Sequence, residues 1–308
     1  MIESALEADR ALAVGHMEYV PDGWVERVLR EHIVHPWLVV SQGEKWRLCQ
    51  DYSGGTNNYA RSAPFGLPTA WDVRGLVKNT SQFAKFDLRD GFWAVPIHPD
   101  SKCRLVMRHP ITGRLMWCCS LPFGYLDSPR KFCRVTEAMA GEMRRRAAGR
   151  GIYFWAYVDD FLIMGDDEEL TREGMRILQD VMTEFGLTSA PHKERGPCRC
   201  IEFLGLLLCN APDMQCIGLT EKRQESLRRR IDEWSARKPE MSGMLTVEPR
   251  ELAVLLGHLV FASQVIPGGR TYMQGMLSAF AGLVVDWKRG VVRTKTSDWK
   301  LVEIRGEF

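Results

Sequence analysis

The sequence carries almost no net charge and has no long uninterrupted hydrophobic run. Its 41 lysines and arginines nearly balance 39 aspartates and glutamates, which leaves a formal charge of +2 over 308 residues. Such a balance indicates no particular partner, so any affinity for nucleic acid has to come from local basic patches. The most apolar stretch, LAVLLGHLVFASQVI at 252–266, is too short and too interrupted to cross a membrane, and we expect no membrane partner.

Internal repeats, low-complexity segments and a secretory leader are also missing. The first residues, MIESALEADRALAVG, are acidic and contain no apolar core of a signal peptide. The late cysteines, Cys198, Cys200, Cys209 and Cys216, form no paired C-x-x-C knuckles, so their spacing does not favour a zinc site. We therefore expect reduced thiols and a cytoplasmic or nuclear protein.

Hydrophobic periodicity predicts a mixed α+β body up to about residue 212 and a mostly helical part after it. Residues 3–32 read as helix, and two strands around a turn at Gln42-Gly43 read as a hairpin. From Glu168 the apolar residues recur every three or four positions, which predicts an amphipathic helix ending before Gly186. Three later helices are predicted around 222–234, 252–259 and 273–280, and the last twenty or so residues read as a tail or linker.

The stretch IYFWAYVDDFLIMG at 152–165 sets two adjacent carboxylates, Asp159 and Asp160, inside an apolar run. Burying one unpaired carboxylate costs several kcal/mol, and two side by side repel each other as well. One interpretation is an ordinary turn, because Asp is a common turn residue. The other is a site where a cation neutralises the charge. Both interpretations hold if residues 153–158 and 161–164 are the strands of a hairpin whose turn lies at the two aspartates.

A third aspartate favours the cation. Asp87, in FAKFDLRDGFW, also ends an apolar strand pattern, so adjacent strands would bring three carboxylates together. Such a cluster suits a hard cation such as Mg²⁺, which binds one or two carboxylates plus substrate phosphates. Two such ions roughly 3.5–4 Å apart stabilise the attacking and leaving oxygens of a phosphoryl transfer.

Together with their neighbours, these motifs resemble the reverse transcriptases, in the order expected for that family. FDLRDGFW, LPFGYLDSP and YVDD resemble the palm, KWRLCQDYSGGTNNYA a fingers segment, GLTSAPHKE a segment that supplies a lysine, and EFLGLLL the primer grip. VEPRELAVLLGHLVFASQVIPGGRTYM resembles a retrotransposon thumb, closest to gypsy-like LTR and tyrosine-recombinase elements. The resemblance covers about residues 20–285.

The resemblance implies an α+β right-hand polymerase with fingers, an antiparallel palm sheet plus helices, and a helical thumb. The expected boundaries are fingers at 1–62 and 95–127, palm at 63–94 and 128–212, thumb at 213–285, and a tail or linker at 286–308. Too few residues follow position 285 for an RNase H domain.

For the site, the resemblance implies two Mg²⁺ ions, replaceable by Mn²⁺, held by Asp87, Asp159 and Asp160 with the backbone carbonyl of Leu88. The primer 3′ hydroxyl would then attack the α-phosphate of an incoming deoxynucleotide, and pyrophosphate would leave. Lys193 would lie near that leaving group, as its proton donor.

The resemblance also implies a nucleotide-binding set: Arg47 and the weaker candidate Lys45 for the triphosphate, Phe92 beneath the sugar, and Phe123 with Gly124 lining the pocket. A ring at Phe92 leaves no room for a 2′-hydroxyl and so selects deoxynucleotides. The alternative for Phe92 is an ordinary core position in a strand.

Nucleic-acid contacts are expected from two further places. Phe203, Leu204 and Gly205 would hold the primer strand. A basic helix could follow the duplex backbone, although a solvated surface face is an equally good interpretation. Its residues are Lys222, Arg223, Arg228, Arg229 and Arg230.

The chain departs from the family pattern at two places. DYSGGTNN replaces the usual D-[YF]-R-x-L-N, so Asn57 and Asn58 both remain candidates for the asparagine, and Arg130 stands where a small residue is common. The sequence therefore predicts an RNA-directed DNA polymerase acting on an RNA template, a DNA or RNA primer and dNTPs. The alternatives are an RNA-directed RNA polymerase of the same palm class, and a degenerate relative that only binds RNA.

Overall fold

The computed structural model of the protein describes residues 2–42, 45–69, 72–73, 77–78, 81–238 and 244–281, with three short strands at 283–286, 291–294 and 302–305. The chain divides into two units, the first formed by residues 1–68 and 82–198 and the second by residues 69–81 and 199–308. The finer division into fingers, palm and thumb stays a prediction.

Helices and antiparallel strands are mixed throughout the first unit, as expected for an α+β protein. Its elements are α1 (Ile2–Ala13), β1 (Met17–Tyr19), α2 (Asp22–Glu31), β2 (Val34–His35), β3 (Trp37–Gln42), β4 (Lys45–Gln50), α3 (Thr56–Tyr59), β5 (Gln82–Asp87), β6 (Val106–Arg108), β7 (Leu115–Cys118), α4 (Ser128–Arg146), β8 (Ile152–Tyr157), β9 (Asp160–Gly165), α5 (Glu168–Glu184) and β10 (Arg195–Cys198). Short 3-10 helices cover Gly91–Ala94, Pro99–Arg104 and Pro191–Lys193.

An antiparallel sheet in the order β10-β5-β9-β8 forms the centre of this unit. Helices α4 and α5 pack on it through a core that includes Phe86, Phe132, Phe161 and Leu178, each no more than 1% exposed. The predicted amphipathic helix is confirmed as α5. It approaches the sheet closely at Gly174, where an added Cβ would lie 2.7 Å from a methyl group of Ile163.

The chain start differs from the single helix predicted for residues 3–32. Strand β1 separates α1 from α2, because Gly15 adopts a φ of +80° and Pro21 precedes α2. Strand β1 joins a second sheet, in the order β1-β7-β6-β2. The predicted β3–β4 hairpin is confirmed, with Gln42 opposite Lys45, while residues 43–44 of its turn lie outside the described residues.

The second unit contains a three-stranded sheet and helices. Its elements are β11 (Cys200–Phe203), β12 (Leu206–Ala211), β13 (Met214–Leu219), α6 (Glu221–Ser235), β14 (Met244–Val247), α7 (Pro249–Ala262), α8 (Gln274–Ser278), β15 (Leu283–Asp286), β16 (Val291–Thr294) and β17 (Val302–Arg305). The segment predicted as a tail or linker thus contains strands, since β14 pairs with β17 and β15 with β16.

The last predicted helix is shorter than its apolar pattern suggests. A 3-10 turn at Thr271–Met273 precedes α8, and Phe280 lies beyond its end. Met273, Met276 and Phe280 nevertheless pack with Leu252 and Leu256 of α7, so the pattern reports burial rather than one continuous helix.

One cysteine pair differs from the expectation of reduced thiols throughout. Cys200 on β11 and Cys209 on β12 are joined by a disulfide, because the antiparallel register sets the two residues directly opposite each other. Among the described helices, none is long and apolar enough to cross a membrane.

Candidate active site

The paired aspartates lie at a hairpin tip between β8 and β9. Tyr157 pairs with Asp160, so the turn consists of Val158 and Asp159, and Asp160 already belongs to β9. The hairpin is confirmed, but its turn falls one residue earlier than the expected Asp159-Asp160. Val158 adopts a φ of +56°, which is unusual for a β-branched residue.

Strand β5 brings the third aspartate to the same tip. Asp87 is the register partner of Asp160 in the β5–β9 pair. The next residue, Leu88, donates its N–H to the Asp159 carbonyl at 2.9 Å, which ties the end of β5 to the turn. All three aspartates therefore meet at one end of the central sheet, as the sequence predicted.

This arrangement leaves the carboxylates electrostatically strained. Burial raises the pKa of Asp160 to about 6, and the charges of Asp159 and Asp87 act in the same direction. Like charges opposite each other on neighbouring strands are destabilising. A cation is the ordinary means of relieving such repulsion.

One cation at the tip comes from the chain itself. Lys193, in the 3-10 helix before β10, donates from Nζ to Asp87 Oδ1 at 2.8 Å. The backbone also positions this segment, because the Ala190 N–H donates to the Asp87 carbonyl at 2.9 Å. The lysine predicted from GLTSAPHKE thus lies at the aspartate cluster.

The donors at the tip suit a divalent metal ion by their chemistry. Within the described part of the chain, no three histidine, cysteine, aspartate or glutamate side chains are already arranged as a metal site. Carboxylate oxygens are nevertheless the ligands that hard cations prefer. The residues present therefore fit such an ion.

An aromatic group lies beside the aspartates. Phe92 stacks on Phe123 with ring centroids 5.1 Å apart and meets the buried Phe132 edge-on at 5.2 Å. Phe92 lies in a 3-10 helix rather than a strand, and it is only half-buried. The predicted pair Phe92 and Phe123 is therefore brought together at one face.

A cavity of about 680 Å³ opens in front of these groups. The expected residues that line it are Asp87, Leu88, Phe92, Phe123, Asp159 and Lys193. Residues that the sequence analysis did not assign to the site also line it: Glu7, Arg10 and His16 from the chain start, and Arg89, Asp90 and Trp93 from within FDLRDGFW.

Three of these additional residues, Glu7, Arg10 and His16, come from the chain start. Arg10 belongs to α1, and the His16 ring stacks on Trp93 with centroids 5.4 Å apart. Burial holds the pKa of His16 below its ordinary value, although the negative charge of Asp90 acts in the opposite direction. No local pattern marks Arg10 or His16, because only the packing of α1 beside the Trp93 segment brings them to the cavity.

Gly124 is required by the chain's own backbone. Its φ is +91°, and an added Cβ would lie 2.1 Å from the Gln50 carbonyl oxygen. Asn57 holds the same loop, donating to the Gly124 carbonyl at 2.9 Å and accepting from the Leu126 N–H at 2.8 Å. Of the two asparagines left open by the sequence, Asn57 is the one in contact with the LPFG loop.

Three basic residues discussed in the sequence analysis lie on β4 and α4. Lys45 and Arg47 belong to β4, but their side chains lie outside the described residues. Arg130 forms a bidentate ion pair with Asp127, at 2.6 and 2.9 Å. That pair accounts for the unusual arginine, because Asp127 is 4% exposed and needs a partner.

The predicted primer grip forms a second hairpin, in the second unit. Phe203 ends β11, and Leu204 and Gly205 make the turn with φ of +52° and +77°. All five residues of the predicted basic helix lie on α6.

Positive φ angles at residues other than glycine coincide with the motifs. Among the described residues they occur at Asp90, Val158 and Leu204, which belong to LRDGF, YVDD and FLGL. Backbone strain of this kind persists where the surrounding structure enforces it, and it is concentrated at functional sites.

Comparison with known proteins agrees with this geometry. Residues 59–208 match the family model described as reverse transcriptase (RNA-dependent DNA polymerase). The Gag-Pro-Pol polyprotein of Mason-Pfizer monkey virus is 30% identical over 172 residues, which cover 51% of this chain and 9% of the polyprotein. That of simian retrovirus SRV-2 is 29% identical over 185 residues, 54% of this chain and 10% of the polyprotein. The chain thus spans about a tenth of the length of these curated relatives.

Solved structures show the same fold. A foamy viral protease-reverse transcriptase in complex with double-stranded DNA matches 88% of this chain and 42% of its own, with a TM-score of 0.66 and 19% identity. A foamy viral protease-reverse transcriptase bound to an RNA/DNA hybrid matches 89% of this chain and 32% of its own, with a TM-score of 0.63 and 20% identity. The predicted α+β polymerase fold is confirmed, while the gypsy-like subtype stays a prediction.

Proposed function

Because residues 59–208 match the reverse transcriptase family model, we propose that the protein is an RNA-directed DNA polymerase of a retroelement. It adds deoxynucleotides to the 3′ end of a DNA or RNA primer, opposite an RNA template. The observation that carries the proposal is the cross-strand pairing of Asp87 with Asp160, with Asp159 in the adjoining turn. This is an arrangement that binds charge rather than one that stabilises the fold.

Reverse transcriptases in general use divalent metal ions. Here Asp87, Asp159, Asp160 and the backbone carbonyl of Leu88 would hold two Mg²⁺ ions, which Mn²⁺ can replace. Bound there, the ions would supply charge neutralisation for the phosphoryl transfer. The chain itself supplies the rigid position, because β5, β8 and β9 fix the three carboxylates at one sheet end.

Lys193 is the candidate proton donor to the leaving pyrophosphate. Its ammonium already lies on Asp87, and the side chain is half exposed, so it can turn towards the cavity. A lysine can release a proton in this role where an arginine cannot. Once the primer oxygen has bonded to the α-phosphate, the proton would pass from Nζ to the departing phosphate oxygen.

The aromatic pair selects the sugar. Phe92 is held by Phe123 and Phe132, so its ring cannot move aside to admit a 2′-hydroxyl. Gly124 keeps the Phe123 loop against Gln50 and so sets the pocket wall. The resemblance to the family assigns Arg47 to the triphosphate, with Lys45 as the weaker candidate.

The second unit holds the nucleic acid. Phe203, Leu204 and Gly205 would grip the primer strand, and the basic residues of α6 would contact the duplex backbone. The partners are an RNA template, a primer and dNTPs, and the proposed location is the cytoplasm or the nucleus. The five-part division into fingers, palm and thumb belongs to the same proposal.

Primer extension by the purified chain tests this function. RNA and DNA templates are compared with dNTPs and with rNTPs, in the presence of Mg²⁺ or of a chelator. We expect extension on RNA with dNTPs only, and none with the chelator. Equal use of rNTPs would favour an RNA polymerase, and duplex binding without any extension would favour a degenerate RNA-binding relative.

A further inference from the structure

One arginine of α6, Arg223, contacts both an aromatic ring and a hairpin turn. The Arg223 guanidinium lies over the Phe261 ring, 4.2 Å from its centroid. It also fills the space where a side chain at position 205 would be, because a Cβ added to Gly205 would lie 2.1 Å from Arg223 Nε. Gly205 is in the turn of the β11–β12 hairpin, so the guanidinium lies directly against that turn.

Arg223 borders a cavity of about 330 Å³ between α6, α7 and the end of β13. The cavity offers cationic and hydroxyl groups and no acidic one. The residues that line it are Leu219, Thr220, Lys222, Arg223, Ser226, Leu227, His258 and Phe261.

Among the residues that the structure describes, no carboxylate pairs with the cationic groups that line the cavity. Within the described part of the chain, Lys222, Arg223 and Arg230 form no ion pair, whereas Arg229 pairs with Glu233 and Arg237 with Glu251. The buried Nε of Arg230 has no hydrogen-bond partner there. Burial lowers the pKa of His258, and the charges of Arg230 and Arg223 lower it further, as expected beside uncompensated cations.

We propose that this cavity binds one phosphate group of a nucleic-acid strand, with Arg223 as its principal contact. The inference rests on the proposed function, in which the Leu204–Gly205 turn holds the primer strand. It distinguishes one residue of the basic helix from the others.

The chemistry of the cavity suits a phosphodiester. A guanidinium donates through a planar fork that matches two phosphate oxygens, and stacking on Phe261 holds that fork in one orientation before the ligand arrives. Lys222 adds a second charge, and the first turn of α6 adds the positive end of its helix dipole. Thr220 and Ser226 supply hydroxyl donors.

Helical spacing separates the two sides of α6. Lys222 and Arg223 line the cavity together with Ser226 and Leu227, which follow four positions later on the same side of the helix, whereas Arg228 and Arg229 do not line it. The sequence alone treats all the arginines of this helix alike.

The test is the salt dependence of binding to an RNA/DNA primer–template, measured by fluorescence anisotropy on the full chain. For Arg223→Gln we expect Kd at about 50 mM salt to rise roughly five- to tenfold, and the slope of log K against log salt to fall by about 0.9. The ratio of variant to wild-type Kd should then shrink about threefold between roughly 50 and 200 mM salt. The matched control is Arg250→Gln, which removes one exposed arginine of α7 outside the cavity and should match wild type.

A second variant changes no charge. Gly205→Ala introduces the Cβ that the guanidinium excludes, so it should weaken duplex binding in the same direction while all basic residues remain. Thermal melts identify any loss of folding caused by the positive φ at this position. Arg223→Lys should recover only part of the affinity, because an ammonium lacks the planar fork.

The inference is wrong if Arg223→Gln binds the duplex with wild-type affinity and slope, or if it changes only the KM for dNTP. Failure of the proposed function looks different, because wild type would then bind the duplex and extend no primer. Wild-type extension together with an unaffected Arg223→Gln would overturn the phosphate site alone.

Discussion

The two hairpin tips of this protein, Val158–Asp159 and Leu204–Gly205, are built alike and present opposite charges. Each joins two antiparallel strands through two residues, and each has a non-glycine residue at positive φ. The first tip gathers three carboxylates and the Lys193 ammonium. The second lies against the Arg223 guanidinium.

The tips also differ in what holds them. Val158 packs against the large core beneath the central sheet, and a third strand, β5, is bonded to the same tip. At Leu204 both turn residues have positive φ, as in a type I′ turn, and the turn geometry itself supports the tip. A reacting group needs the rigidity of a core, whereas a strand-holding turn needs only a fixed backbone and a nearby charge.

The largest expected effect is on chemistry at the first tip. Asp159→Asn should lower the primer-extension rate by roughly a hundredfold or more, because it removes one charge that positions the metal ions. The Kd for a primer–template should stay within about twofold, since duplex binding is expected from the second unit. Asp180→Asn, an exposed carboxylate on α5, is the matched control. If Asp159→Asn weakened duplex binding as much as primer extension, chemistry and duplex binding would not be separated between the first tip and the second unit.

A smaller effect is expected on sugar selection. Phe92→Val opens space beneath the nucleotide sugar, so the ratio of kcat/KM for dNTP over rNTP should fall by about ten- to a hundredfold. Steady-state kinetics on one template measure it. Phe185→Val, at the partly exposed end of α5, should leave that ratio unchanged. If the extension rate falls but the dNTP/rNTP ratio of kcat/KM does not change, Phe92 is a core residue and does not select the sugar.

Stability without metal should reveal the repulsion at the first tip. Asp160→Asn removes one of two carboxylates that face each other across β5 and β9. In the presence of chelator at pH 7, the free energy of unfolding should therefore rise by about 1 kcal/mol, a value kept small because solvent screens partly exposed charges. The pKa of Asp160, raised from 3.8 to about 6, means that the folded chain binds a proton there more tightly than the unfolded chain. Wild-type stability should therefore fall as pH rises from about 4 to about 6, and the variant should lack this step. Denaturant titrations at several pH values measure the free energy of unfolding of both proteins. An Asp160→Asn variant less stable than wild type at pH 7 would contradict the prediction.

The smallest effects compare the strained turn residues directly. Leu204→Asn creates the Asn-Gly pair that type I′ turns favour, so it should stabilise the protein by about 0.5–1 kcal/mol. Val158→Gly also relieves a positive φ, but it loses apolar packing against the core and should give no net gain. Thermal melts of both variants measure the difference. Equal gains at both tips would show that the core does not support the first one.

Much of the fold was predictable because local patterns encode it. The apolar runs on both sides of Asp159 and Asp160 predicted the β8–β9 hairpin, and the spacing from Glu168 predicted α5. The predicted helix over residues 3–32 was wrong, since its apolar residues did not reveal that Gly15 and Pro21 would separate two helices. The strands at 291–294 and 302–305 were missed, because each gains its pairing from a partner strand rather than from its own pattern.

The site divides in the same way. Asp87, Asp159, Asp160, Lys193 and Phe92 were all singled out, since carboxylates in apolar runs and an ordered set of motifs are visible in one dimension. Arg10 and His16 were not, because α1 reaches the cavity only through packing. The sequence likewise did not show which of Asn57 and Asn58 contacts the LPFG loop, and the structure shows that Asn57 donates to the Gly124 carbonyl.

Local sequence patterns were enough to identify the chemical groups of this protein and their order along the chain. The tertiary structure alone decided that Asp87 faces Asp160, that Lys193 lies on Asp87, and that Arg223 rests on Gly205. The physical reason is the range of the interactions. Periodicity arises between neighbours a few residues apart, whereas register and close approach are set by packing between segments that are distant in the chain.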